Sequence, residues 1–240
     1  MLRVTVWNEF RNEKNPDYPE VQAVYPDGIH NCIAEFLKDD DLEIKTAWLD
    51  QPENGMTEEV LESTDVLIWW SHGSSAEVDD KVAERVKNRV LRGMGFIALH
   101  SAHTSKPFVS LMGTTCSLRW QEGSRERLWC CDPAHPIAKG IPPYVEIPEE
   151  EMYGEHFDIP TPDETVFIGW FKTGEVFRSG VTFKRGYGKI FYFQPGHESN
   201  PTYHIPEIQQ IIKNAVRWAA PQFIAEKISC IKFDPIEPLD

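Results

Sequence analysis

The chain reads as an α/β protein built on a doubly wound parallel sheet, and three observations predict it. Short apolar runs such as Leu67–Trp70, Phe96–Leu99 and Ile190–Phe193 are continuous rather than alternating, as strands covered on both faces require. Segments with apolar residues at helical spacing lie between the early strands. Polar turns carrying histidine follow the runs, at the carboxyl ends where open α/β sheets place their ligand crevice.

The elements follow in order. Residues 2–7 form the first strand, which ends at Asn8 and Glu9. After a polar loop, Tyr25-Pro-Asp-Gly-Ile-His30 opens a helix with Pro26 in its first turn. Ile29, Cys32, Ile33, Phe36 and Leu37 make its apolar face, and His30 faces either the crevice or the packing. Residues 43–49 are the second strand, and Thr57 caps a short helix beyond the turn at 51–55. Residues 65–70 are the third strand, ending at Ser71-His72-Gly73. The spacing of Val78, Val82, Val86 and Val90 predicts a helix over 76–92, stopped by Gly93 and Gly95. The fourth strand, 96–99, delivers His100, Ser101 and His103, and a short helix over 105–111 closes at Gly113.

The βα alternation then breaks. Residues 116–162 read as a β-rich insertion over the crevice, with an ionisable and aromatic run at Glu149–Asp158. Residues 165–171, 175–184 and 189–193 are strands joined by tight turns at Lys172-Thr-Gly-Glu and Arg185-Gly-Tyr-Gly. The last strand ends at Gln194-Pro-Gly-His-Glu198. A closing helix spans 205–219, and 221–240 is an extended C-terminal extension suited to reaching a neighbouring subunit. The whole of 1–240 is expected as a single domain.

A formal charge of −14 and pI near 5.0 oppose binding to nucleic acid or an anionic membrane. The apolar runs are too short to span a bilayer, and no signal-peptide pattern precedes the first strand. Five cysteines, Cys32, Cys116, Cys130, Cys131 and Cys230, without CxxC spacing suggest reduced thiols and a cytoplasmic location. Cys130-Cys131 is a candidate metal or redox pair, set against two small neighbouring strand residues pointing to opposite faces.

His100-Ser-Ala-His103 admits three chemistries. Ser101 as a nucleophile with a histidine base is disfavoured, because the glycine-flanked elbow G-x-S-x-G is absent. His100 and His103 can instead ligate Zn²⁺ with help from His197, His156 or Glu155, although the spacing is not a recognised zinc motif. The same imidazoles can act without metal as acid and base on a polyol. The alternative is histidines satisfied in the core. Trp7, Trp69, Trp70, Trp120, Trp129 and Trp170 lie near strand or loop ends and suit a stacking sugar ligand or a plain core. No dinucleotide fingerprint or P-loop is present, so no nucleotide or flavin is expected.

Two resemblances follow from these residues. His197-Glu198 resembles the His-Glu pair of a Cys-His-Glu triad in class I glutamine amidotransferases. The matching elbow holds His100 or Ser101 and no thiol, so glutamine hydrolysis by that route is not expected. Tyr25-Pro-Asp-Gly-Ile-His30, Leu-His-Ser-Ala-His103, Leu-Met-Gly-Thr114, Asp132-Pro-Ala-His-Pro-Ile137, Glu150–Pro160 and Gly188–Glu198 together resemble the trehalose-utilisation ThuA family over about residues 2–221.

This resemblance implies a flavodoxin-like, class I glutamine amidotransferase-like fold and a role in using trehalose and related disaccharides. It also implies a partner oxidoreductase that makes 3-keto sugars. The resulting expectation is an enzyme acting on trehalose or its 3-keto derivative; the rival is a non-catalytic sugar-binding or accessory subunit of that oxidoreductase. A small-molecule carbohydrate is the expected partner, and a homo-oligomer is a candidate assembly. His100, His197, Glu151 and Tyr153 are the candidate catalytic residues. Asn8, Glu9, His30, His72, Ser101, Glu155, His156 and Glu198 are the candidate substrate-binding residues. His100, His103 and His197 are the candidate zinc ligands, and the family pattern also includes His135.

Overall fold

The continuous apolar runs become the centre of one sheet in the computed structural model, which describes residues 1–228 and 234–238. Its strands are β1 (Leu2–Asn8), β2 (Leu42–Trp48), β3 (Val66–Trp70), β4 (Gly95–Leu99), β5 (Arg119–Cys130), β6 (Tyr144–Gly154), β7 (Glu164–Phe171), β8 (Val176–Arg185) and β9 (Gly188–Phe193). They lie in the order β2-β1-β3-β4-β9-β8-β7-β5-β6. The first five in that order are parallel, and β9 to β6 are antiparallel. The parallel half thus has the 2-1-3-4-5 order of doubly wound flavodoxin-like sheets, with β9 as its fifth strand.

Among the described residues the α-helices are α1 (Pro19–Val24), α2 (Ile29–Leu37), α3 (Glu58–Glu62), α4 (Asp80–Arg92) and α5 (Lys106–Met112) between strands, and α6 (Pro206–Ala219) after β9. β4 shows why its run is apolar throughout. Phe96 and Ala98 pack with Val82, Val86 and Val90 of α4 and Phe108 of α5. Ile97 and Leu99 pack on the other face with Ile33 of α2 and Ile208, Ile211 and Ile212 of α6. A strand covered on both sides has no place for a polar residue until it ends.

Several boundaries differ from the sequence reading. The helix after Tyr25 begins at Ile29 rather than Pro26, because Gly28 takes φ +87° and the Glu13 carboxylate accepts the first free amide, from Ile29 N at 3.1 Å. α1, inside the supposed polar loop, was not anticipated. The predicted helix over 76–92 divides: Ser75–Glu77 is a 3₁₀ turn, and Asp79 caps α4 by accepting from Lys81 N at 2.8 Å.

The β-rich segment at 116–162 is present, but its strands β5 and β6 continue the main sheet at its antiparallel edge. They do not form a layer over the crevice. The start of the C-terminal extension folds back on its own chain: Ala225 N donates to Arg92 O at 2.8 Å, and Phe223 packs on Tyr187. The rest of that expectation, and Cys230, fall partly or wholly on 229–233 and 239–240, outside the described residues. Among the described residues no helix is long and apolar enough to cross a membrane.

Gly95 sets the approach of β4 to α6. A Cβ there would lie 2.4 Å from Ala219 O and 2.8 Å from Ala219 Cβ. Gly95→Ala is expected to destabilise the fold by about 1–3 kcal/mol through overpacking. Urea unfolding checks this, and a change below about 0.5 kcal/mol would contradict the packing described.

Candidate active site

The ends of β3, β4, β6 and β9 meet at one point. β4 stops at Leu99, and His100 takes φ +54°, a left-handed conformation that histidine tolerates better than branched residues do. The turn leaves the His100 ring fully buried and nearly parallel to the rings of Trp70 and Tyr153. Its Nδ1 lies 2.9 Å from Gln194 O, so Nδ1 carries a proton for that carbonyl and Nε2 turns to the interior of the cluster. Glu151 Oε2, from β6, lies 3.0 Å from Nε2.

Two buried carboxylates shape the neighbouring turns. After β3, Glu9 accepts from the backbone amides of His72, Gly73 and Ser74 at 2.8, 3.1 and 3.0 Å, which fixes the loop carrying His72. After β9, Glu150 accepts from Gly196 N, His197 N and Thr202 Oγ1 at 2.8, 3.0 and 2.8 Å. Gly196 is required in that turn: its φ is +136°, and a Cβ would lie 2.1 Å from Tyr203 Oη.

These turns bring three imidazoles together. Ring centroids of His100 and His197 are 5.4 Å apart, those of His72 and His197 5.1 Å, and those of His72 and His100 5.8 Å. One ligand atom from each of His72, His100, His197 and Glu151 lies within 4.8 Å of all the others, so this group could hold a metal ion. In every ring Nδ1 already has a partner: Glu198 Oε1 at 2.7 Å for His72, Gln194 O for His100, and for His197 the Ser199 amide, which donates to Nδ1 at 3.2 Å with Ser199 Oγ at 2.8 Å. The buried Oε2 atoms of Glu151 and Glu198 have no hydrogen-bond donor. The 3.0 Å approach of Glu151 to His100 is therefore a charge contact rather than a well-directed hydrogen bond. Only His72 opens appreciably to solvent, with 30% of its side chain exposed.

The electrostatics follow from this crowding. Burial opposes charge on His100, but the Glu151 carboxylate outweighs it, helped by Glu150 and Glu198, and the imidazole is pushed up to about 9. Burial likewise opposes charge on Glu198, but the hydrogen bond and charge of His72, with His197 and His100, pull it down to about 2. Burial lowers His197, reinforced by the charge on His100. Tyr153 is pushed well above the usual phenol range by burial; its hydroxyl lies 2.5 Å from Ser101 Oγ and 3.5 Å from His100 Nε2.

Some residues expected in the site lie elsewhere. His103 is not among the clustered ligand atoms: its Nδ1 faces Cys116 O at 2.7 Å, its ring packs against Tyr153, Phe157 and Tyr192, and burial lowers it to about 4. Glu155 is paired with Arg178 at 2.8 and 2.9 Å, and His156 is exposed. Asn8 and His30 form a separate buried group with Glu13: Asn8 Nδ2 donates to Glu13 Oε1 at 2.6 Å and lies 3.1 Å from His30 Nδ1. His135 caps its own turn by accepting from Ile137 N. Trp7, Trp69 and Trp70 are core residues, whereas Trp120, Trp129 and Trp170 are exposed on the antiparallel strands.

Glu150, Gln194 and Asn12 were not anticipated. Asn12 Nδ2 donates to Glu198 Oε1 at 2.7 Å. The run Glu149-Glu-Glu151 was legible as acidic, but not as two buried carboxylates.

The His100–Glu151 contact makes a pH prediction for protein stripped of metal by a chelator. A folded-state value near 9 against an ordinary 6.5 stabilises the fold fully below about pH 6.5, and that contribution is lost as pH rises toward 9. Urea denaturation across this window is expected to show falling stability, with a shallower fall in Glu151→Gln. An unchanged slope in that variant would contradict the pairing.

Comparison with known proteins places this fold. Solved structures with similar backbones include a protein described as ThuA-like from Parabacteroides merdae, with TM-score 0.65 and 14% identity over 95% of this chain and 92% of that one. They also include a cytoplasmic protein from Salmonella typhimurium, with TM-score 0.62 and 14% identity over 92% and 100%. PurLQS from Thermotoga maritima has TM-score 0.52 and 12% identity over 90% and 98%. At these identities the likeness shows the shared fold, that of ThuA-like proteins and the glutamine amidotransferase-like group. No match was found among curated protein sequences. The family model described as ThuA, trehalose utilisation, matches residues 3–219. The chain belongs to the ThuA family.

Proposed function

We propose that this protein is a metal-dependent enzyme of disaccharide utilisation, acting on trehalose or its 3-keto derivative, with Zn²⁺ held by His72, His100, His197 and Glu151. The observation that carries the reading is the donor set itself. Three imidazoles converge with Nδ1 already engaged, and two buried carboxylate oxygens have no donor. Imidazole and carboxylate ligands suit Zn²⁺, and histidine ligands characteristically donate their second N–H to a carboxylate or a backbone carbonyl, the partners that Glu198 and Gln194 O offer to His72 and His100. Trehalose utilisation is the family's description, and it supplies the substrate class.

When bound, such an ion supplies Lewis-acid charge stabilisation at a sugar oxygen. The chain's own groups do the rest. Glu198 orients His72, Gln194 fixes the tautomer of His100, and Glu150 holds the His197 turn. Tyr153 and Ser101 hold a proton between their oxygens beside His100, where a sugar hydroxyl can exchange it. His100 keeps its own proton until metal displaces it, so metal uptake at pH 7.5 is expected to release a proton.

A second reading has one observation in its favour. His100 and Glu151 are almost wholly buried, which suits a site that holds a ligand without turnover, as in an accessory subunit of a sugar oxidoreductase.

Metal analysis of the purified protein and product analysis with trehalose and 3-keto-trehalose test both readings. The enzyme reading expects about one zinc per chain and turnover, with both lost in His197→Ala. Glu198→Ala, which removes the partner of His72 Nδ1 and a buried carboxylate oxygen 3.7 Å from His197 Nε2, is expected to weaken metal binding by about 10- to 100-fold. Sugar binding and metal without product would favour the accessory subunit. Absence of metal from protein purified without chelators, with no uptake on titration, would refute the metal site.

A further inference from the structure

We infer that Glu126 is a neutral carboxylic acid, and that it positions the site from beneath through Ser179 and Gln194. Glu126 lies on β5 and is fully buried, as are Ser179 on β8 and Gln194 after β9. Ser179 Oγ is 3.1 Å from Glu126 Oε1 and 3.1 Å from Gln194 Oε1. The orientation of the Gln194 amide is fixed independently: its Nε2 donates to Glu151 O at 3.0 Å, an atom that can only accept. Its Oε1 therefore faces Ser179.

A serine hydroxyl has one proton to give. Ser179 Oγ lies equally close to two oxygens, of which Gln194 Oε1 can only accept while a carboxyl can carry its own proton, so both contacts are satisfied together only with a proton on the Glu126 side. That proton belongs to Glu126. The chain of donors then runs in one direction: Glu126 to Ser179, Ser179 to Gln194, and Gln194 to Glu151 O.

The surroundings agree with a neutral acid. Glu126 Oε2 has no hydrogen-bond partner, and its Oε1 meets the Ser179 hydroxyl. Burial drives its carboxyl well above the usual range and Glu150 adds to this, outweighing the Ser179 hydrogen bond and the charge of His100, which pull it down. Space for the pair is provided by a glycine: a Cβ on Gly169 would lie 2.3 Å from Glu126 Oε1 and 2.4 Å from Ser179 Oγ.

The far end of this chain is Gln194, which touches two members of the cluster. Its side chain holds the Glu151 backbone, and its carbonyl accepts from His100 Nδ1. Glu126 touches neither the cluster nor its interior, so it is a positioning residue and not a catalytic one. Its effect on a bound metal rests on the proposed zinc site; its protonation does not.

Two variants separate these parts. Glu126→Gln keeps a neutral donor toward Ser179, and Glu126→Leu removes the donor while filling the space. Infrared difference spectra of wild type and Glu126→Gln, both chelator-treated at pH 7, are expected to show a protonated carboxylic acid band lost in the variant. An ionised carboxylate band lost instead would overturn the inference, whether or not the protein binds metal.

Zinc titration then reads the positioning. Glu126→Gln is expected to bind within about twofold of wild type, and Glu126→Leu about tenfold more weakly. Chelator-treated Glu126→Leu should still unfold in one cooperative transition, at a lower midpoint than wild type because the buried Ser179 hydroxyl loses one partner. Wild-type zinc affinity in Glu126→Leu, or equal losses in the two variants, would overturn the positioning role. If wild type binds no zinc, the zinc reading fails, and the ¹⁵N chemical shifts of the His100 ring in the same variants decide positioning. The Nδ1 shift, which reports the hydrogen bond to Gln194 O, is expected to be unchanged in Glu126→Gln and moved in Glu126→Leu; the same shifts in both would overturn it.

Discussion

Bringing ionisable side chains out of water at the ends of four strands is the constraint that organises this molecule. An unpaired buried charge is costly, so each group needs a partner of opposite sign or a set of backbone dipoles. Glu9 and Glu150 meet this need with amides of the turns after β3 and β9. Glu198 meets it with His72, and Glu151 with His100. The compensation is incomplete at two oxygens, Glu151 Oε2 and Glu198 Oε2, which face imidazoles and lack donors. A cation among the three rings would complete it.

Much of the fold was legible because its strands have one physical requirement. A strand covered on both faces must be apolar throughout, and a helix lying on it must repeat its apolar residues at helical spacing. β3, β4, β9, α2, α4 and α6 satisfy these rules within a few residues. β5 and β6 were harder to place. They have one exposed face, register shifts near Ser124 and Glu126, and an acidic end, so they resembled surface insertion more than sheet.

The site was legible as a set of strand ends, not as a set of ligands. Chain neighbourhood favoured His103 beside His100, yet the turn sends His103 to Cys116 O and the aromatic packing around Phe157. His72 and Glu151 reach the cluster from different strands, and only sheet order puts them there. Glu126 gave no local signal, because its partners come from β8 and the turn after β9. The fold is shared with glutamine amidotransferase-like proteins, but His100 occupies the turn after β4 and carries different chemistry from a thiol.

The proposed metal site depends on which imidazoles converge at one point. Titration of Zn²⁺ into chelator-treated His72→Ala and His103→Ala, each against wild type, tests that choice most directly. Loss of binding in His72→Ala with binding retained in His103→Ala is the result the geometry requires. Retained binding in His72→Ala with loss in His103→Ala would place the ion somewhere other than the meeting point of β3, β4, β6 and β9 and contradict the proposed site.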